Sequence, residues 1–169
     1  MKFVFLLAAF ICSLSAYSQD TLMKMKQIDS LVDLIKTSGF TGRTDTIKED
    51  QPQFGYFLTI YETAVVDKNE LKKYVDELYV TRTENGTTNK LHSRTSLFYH
   101  HSKLIKVEES GIDGTKDFSF LWYYADDKPL YHSSTESNAE ERANALLQIA
   151  KLRLNKVNGN PNEMFRLPY

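Results

Sequence analysis

The chain predicts an α+β domain: an N-terminal helix, an antiparallel β-meander of six or seven strands, and a C-terminal helix packed on one sheet face. Three observations carry this reading. Apolar residues recur at helical spacing in residues 20–37 and again in 139–154, the region between them is rich in aromatic and β-branched runs, and turn-forming residues separate those runs.

Each element follows in order. In residues 20–37, Leu22, Met25, Ile28, Leu31, Val32 and Ile35 are three and four apart, with Gly39 as a stop. Residues 40–53 are polar, contain Gly42 and Pro52, and have no period, so they read as a connecting loop. A strand starts at Phe54 and runs through Tyr61, and further strands are expected at 77–83, 91–99, 103–109, 117–124 and 130–133. Asn85-Gly86 is the strongest turn signal between them, because a type I′ turn needs positive φ at both central positions. Other turn signals are the His100-His101-Ser102 tip, residues 111–114, and Asp126-Asp127 before Lys128-Pro129.

Residues 67–78 carry two patterns. Asp67 with Glu70 resembles a capping box, and Leu71, Tyr74, Val75 and Leu78 fit a helical face. Internal similarity favours a strand instead: residues 70–77 resemble 103–109, and 98–107 align without gaps on 123–132, an aromatic pair followed by a polar tip and a returning strand. The hairpins superficially resemble MORN-type meander repeats, but the paired glycines of that pattern are missing, so no functional residue carries over. The closing helix has a capping box at residues 137–140 and one stripe from Ala139 through Ala143, Leu146, Leu147 and Ala150 to Leu154. Both helices are expected on the same sheet face. Pro129 places the last strand at an edge, where a missing N–H is tolerated, and residues 156–169 form a short apolar tail.

The first 18 residues read as a cleaved secretory leader: Lys2, an apolar core from Phe3 to Leu14, and small residues Ala16 and Ser18 before cleavage. A bilayer span would need about 20 apolar residues. The mature domain, 19–169, is then secreted or periplasmic. Cys12 is the single cysteine and leaves with the leader, which removes disulfides and thiolate chemistry. The residue before Cys12 is Ile11, not the small residue expected ahead of a lipidated cysteine.

With 21 basic against 22 acidic residues, the chain has no cationic footprint for nucleic acid. GxSxG, HExxH and phosphate-binding glycine loops are absent from the sequence. Its carboxylates cluster at turns and helix starts, where solvation explains them. His92, His100, His101 and His132 lack ligand spacing, and adjacent strand residues such as His100 and His101 are expected to point apart. No cofactor, metal or catalytic residue is expected. Asn85-Gly86-Thr87 matches a glycosylation sequon, but its turn role already explains it.

Fourteen of the seventeen aromatics after residue 18 lie between Phe54 and Tyr131, and they populate both strand faces. Phe118, Phe120, Trp122 and Tyr124 alternate against Leu121 and Tyr123, less cleanly than a sheet with one solvated face requires. The leading reading is a non-enzymatic binding domain that holds a protein or another ligand with Phe57, Tyr61, Tyr79, Phe98 and Tyr123. Packing of half-buried tyrosines as cross-strand pairs is the bland account of the same residues. The alternative function is a carrier of a small apolar ligand in a cavity between the sheet and the C-terminal helix. A third reading is an enzyme whose groups come from scattered strands without a local signature.

Overall fold

The computed structural model describes the backbone of residues 2–159 and the side chains of residues 19–159. Helix α1 spans Lys2–Thr37 and α2 spans Ala139–Gly159. Between them lie β1 (Gly42–Gln51), β2 (Tyr56–Asp67), β3 (Glu70–Glu84), β4 (Thr87–His100), β5 (Lys103–Asp113), β6 (Lys116–Ala125) and β7 (Lys128–His132). The strands form one antiparallel sheet in sequence order, so each is hydrogen-bonded only to its neighbours along the chain. Pro129 does lie in an edge strand.

Several expectations are corrected here. Residues 40–53 are not a loop, because β1 pairs with β2 along its whole length. The strand has a single aliphatic residue, Ile47, and charged residues on both sides of it. An edge strand with no fully buried residue needs only its hydrogen-bond ladder, which leaves no periodic signal. The expected start at Phe54 also shifts, since residues 52–54 form a short 3-10 turn and β2 starts at Tyr56. Gly55 closes that turn at φ +62°, where a Cβ would meet the Thr83 carbonyl oxygen at 2.7 Å. Residues 70–78 lie in β3 and not in a helix, as the internal similarity indicates, with Lys68-Asn69 as the turn before them, and residues 156–159 continue α2 rather than opening the tail.

A further correction concerns the helices, which pack on opposite faces. Ile28 and Val32 of α1 cluster with Phe98 and Tyr123, whereas Ala143, Leu146, Leu147 and Ala150 of α2 cluster with Tyr74, Leu97, Tyr99, Trp122 and Tyr124. This is why aromatics occupy both faces of β4 and β6. Each strand is covered on both sides where the helices cross it, and consecutive aromatic residues point one to each helix.

The repeat explains how α2 is seated. The pairs Val65/Val66, Phe98/Tyr99 and Tyr123/Tyr124 each mark a bulge ahead of a two-residue turn. The turn residues Lys68-Asn69, His101-Ser102 and Asp126-Asp127 all have positive φ, the type I′ signature. The second member of each aromatic pair donates its hydroxyl to α2: Tyr99 to the Ala150 carbonyl at 3.0 Å and Tyr124 to the Ala143 carbonyl at 2.9 Å. Seven helical residues rise about 10.5 Å, and two strand spacings are roughly 9.6 Å. The repeat therefore matches two turns of helix and directs α2 across the strands.

Charge adds to this. Glu62, Asp76, Thr95 and Glu109 stand opposite one another across β2 to β5 in a single row on the α2 side. Helix α2 answers with Lys156 to Glu62 at 3.1 Å, Arg153 to Glu62 at 2.8 Å and to Asp76 at 3.2 Å, and Arg142 to Glu109. Arg153 also lies 5.2 Å from the centre of the Tyr74 ring. Among the residues with described side chains, no helix is long and apolar enough to cross a membrane.

Candidate binding surface

The strand registers place all five expected aromatics, Phe57, Tyr61, Tyr79, Phe98 and Tyr123, on the α1 side of the sheet. They are not one surface, however. Phe98 is fully buried and Tyr123 is 4% exposed, while Phe57, Tyr61 and Tyr79 are 43%, 37% and 41% exposed. Helix α1 crosses only one end of this face, where Lys36 reaches Glu108 at 2.8 Å and Asp29 reaches Lys106 at 2.8 Å. Tyr123 donates its hydroxyl to the same Asp29 oxygen at 2.9 Å, with the Lys106 ammonium 5.0 Å from its ring. Phe98 lies between the ammonium groups of Lys36 and Lys73, 5.3 and 5.2 Å from its ring centre. Both residues hold α1 in place and are unavailable to a partner.

Beyond α1 the same face is open, and the exposed trio is joined by His92. Tyr79 stacks on His92 with ring centres 4.3 Å apart and planes 12° from parallel, and Tyr61 meets Tyr79 edge-on at 5.9 Å. Glu77 ties the cluster together, because its Oε1 accepts from the Tyr79 hydroxyl at 2.9 Å and lies 3.1 Å from His92 Nε2. Partial burial disfavours the Glu77 carboxylate, but the bonds from Tyr79 and His92 outweigh that and hold it below the usual carboxylate range. The same contact with Glu77 pushes the Tyr79 phenol up. A shallow hollow of about 410 Å³ opens between Thr59, Tyr61, Glu77 and Tyr79. The arrangement presents ordered aromatic area and one fixed acceptor, the chemistry of recognition.

His92 and Glu77 were not singled out for this surface by sequence reasoning, although the signal was present. A two-residue turn at Asn85-Gly86 pairs residues equidistant from it, and that alone puts His92 opposite Tyr79 and Arg94 opposite Glu77.

The other histidines lie elsewhere. The His100 and His101 rings are 4.0 Å apart, not opposed, because His101 sits in the turn at φ 50° rather than in the strand. Partial burial and the neighbouring His101 push the His100 imidazole pKa down. His132 lies 5.5 Å from Trp122, and its Nδ1 is 3.1 Å from the Ser134 carbonyl. Among the described residues no three His, Cys, Asp or Glu side chains converge to hold a metal ion.

Under the middle of α2 there is little free space, whereas a cleft of about 700 Å³ opens at its C-terminal end between Ala64, Val66 and Val157. The pocket bounded by Tyr99, Leu104, Leu147, Ala150 and Leu154 has a volume of about 10 Å³, at the lower limit for a single water. Comparison of the chain with protein-family models, characterised proteins and solved structures finds no match.

Proposed function

We propose that this chain is a secreted or periplasmic, non-enzymatic binding domain that grips a protein partner with the open half of its α1-side sheet face. The leader reading of the first 18 residues supports the compartment. One observation supports the binding role above the others: Phe57, Tyr61 and Tyr79 stay exposed beside an ordered Tyr79–His92–Glu77 network, while the aromatics under α1 are packed away. Rings already locked by stacking and hydrogen bonds lose little entropy on association. Interfaces favour tyrosine and phenylalanine for the same reason. The small volume beneath the middle of α2, about 10 Å³, is a reason to prefer this outer face to a carrier cavity at that point.

A photo-crosslinking residue at Thr59, in the hollow, is expected to give a discrete partner adduct in cells that make the protein. A second at Leu152, on the outer side of α2 and 67% exposed, should give none. The paired change Tyr61→Ser and Tyr79→Ser should remove the adduct at position 59 while the fold persists. Equal adducts at both positions, or none at 59, would overturn the reading.

A further inference from the structure

The two edges of the sheet are built differently. β7 is five residues long, carries Pro129 and is bulged against β6, features that discourage a further strand. β1 is ten residues long, has no proline and keeps an unbroken register with β2. Among the described residues, β2 is its one strand partner. The Thr46 N–H marks the side on which the edge is free: it donates to the carboxylate of the preceding Asp45 at 2.8 Å, a side-chain acceptor outside the ladder. Backbone groups alternate in direction along a strand, so Gly42, Thr44, Lys48 and Asp50 turn theirs to the same open side.

Pairing geometry restricts what can add there. In an antiparallel pair, directly opposed residues either both point their N–H and C=O at each other or both point them away. Two copies of β1 can therefore meet only with even positions against even and odd against odd, about a two-fold axis through one residue. Charge decides which residue that is. Among centres that keep most of the strand paired, Asp45 sets that acid against its own copy, Ile47 sets Asp45 against Glu49, and Lys48 opposes two ammonium groups. Like charges directly opposed destabilise a strand pair. Centred on Thr46, none coincide: Arg43 stands opposite Glu49 twice, Asp45 opposite Ile47, Thr44 opposite Lys48 and Gly42 opposite Asp50. The two Thr46 residues then exchange N–H to C=O bonds, the N–H leaving Asp45 for a backbone acceptor.

We propose that β1 is a self-pairing edge, and that two copies of this chain join there, antiparallel and centred on Thr46, into one continuous sheet with two-fold symmetry. Thr46 lies opposite Tyr61 in the β1–β2 register, so the row across the junction reads Tyr61, Thr46, Thr46, Tyr61. The α1-side faces of both copies point the same way, and three strand spacings, roughly 14 Å, separate the two Tyr61 positions. The pairing does not depend on what Tyr61 and Tyr79 bind; it presents that surface twice.

Sedimentation velocity and cross-linking test it in the full chain. The mass should rise from one chain to two with concentration. Thr46→Pro deletes an N–H that the β1–β2 ladder does not use, so it should leave the thermal midpoint nearly unchanged. It should weaken association about tenfold or more, because each dimer loses two backbone bonds. Glu49→Arg should weaken association several-fold, and Arg43→Glu in the same chain should restore it. Opposed bonded residues have Cα atoms about 5.5 Å apart, within disulfide reach. In a chain carrying Cys12→Ser, a Thr46→Cys thiol should therefore oxidise to a linked dimer faster than a thiol at the exposed Leu152. A single-chain mass at every concentration up to about 100 μM overturns the proposal. So does a dimer that ignores both Thr46→Pro and Glu49→Arg, which would place the contact on another surface. Neither result touches the reading of the Tyr61–Tyr79 surface, which the adduct at position 59 tests separately.

Discussion

The Tyr99 hydroxyl and the Ala150 carbonyl oxygen are 3.0 Å apart, and this contact joins the middle of the sheet to the middle of α2. Both groups are buried, and burial drives the Tyr99 phenol pKa far above its ordinary value. Tyr124 and Ala143 repeat the contact two helical turns away. Tyr99→Phe and Tyr124→Phe are each expected to lower stability by about 1 kcal/mol, with a combined loss near the sum of the two. Urea unfolding midpoints check this, and two silent substitutions would reduce the contacts to spectators of ordinary core packing.

Arg153 is the hub of the charged row. It ion-pairs with Glu62, which is almost wholly buried and accepts a hydrogen bond from Lys156, and with Asp76 at once. Burial pushes the Asp76 carboxyl up, against the pull of Arg153. Arg153→Met leaves Lys156 alone to face Glu62, and a loss of about 3 kcal/mol is expected. Lys156→Met should cost clearly less, because Arg153 still reaches both acids. The reverse ranking in denaturant titrations would show that the lysine carries the cluster.

Acid should loosen α1 from the sheet through Glu108. Partial burial disfavours its carboxylate, but bonds from Lys36 and Lys106 prevail and set its pKa below the ordinary 4.5. The folded state therefore holds this proton more weakly than the unfolded chain does. The stabilisation is present above about pH 4.5 and is lost as pH falls through the lower folded-state value. Stability measured from pH 6 down to pH 3 should drop, and Glu108→Gln should flatten that part of the profile. An unchanged slope in the variant would remove Glu108 from the acid response.

Covered and open aromatics should separate cleanly in stability. Tyr123→Ser removes a buried ring and its bond to Asp29, for an expected loss of about 3–5 kcal/mol. Tyr61→Ser removes an exposed ring with one edge contact, for about 1 kcal/mol or less. Similar thermal unfolding for the two variants would mean that α1 does not protect its end of the face as the structure shows it.

Much of this architecture was legible beforehand, and the misses have physical causes. Both helices announce themselves because each buries a stripe, and the hairpins because tight turns demand particular residues. β1 is silent because none of its residues is fully buried: the threonines, acids and lysine around Ile47 suit an edge strand and a loop equally. The helices' placement was encoded in the aromatic pairs, since Phe98-Tyr99 and Tyr123-Tyr124 must send one ring to each side. That pattern reads as solvent-facing tyrosine until a second covering layer is known. The candidate surface was half legible for the same reason. Alternation finds which residues share a face, but only the path of α1 decides which of them remain open.

The strict sequence order of the strands has a consequence for assembly. No strand waits for a partner made much later in the chain, so the sheet can grow one hairpin at a time from either direction. Docking of α2 is a different kind of step, because it must find its two tyrosine hydroxyls in register with its own turns. Until then the α2-side aromatics, Trp122 among them, stand bare. Helix α1 must likewise find Lys106 and Tyr123 across the sheet, so the meander can assemble by local steps while the two helices close it by long-range docking.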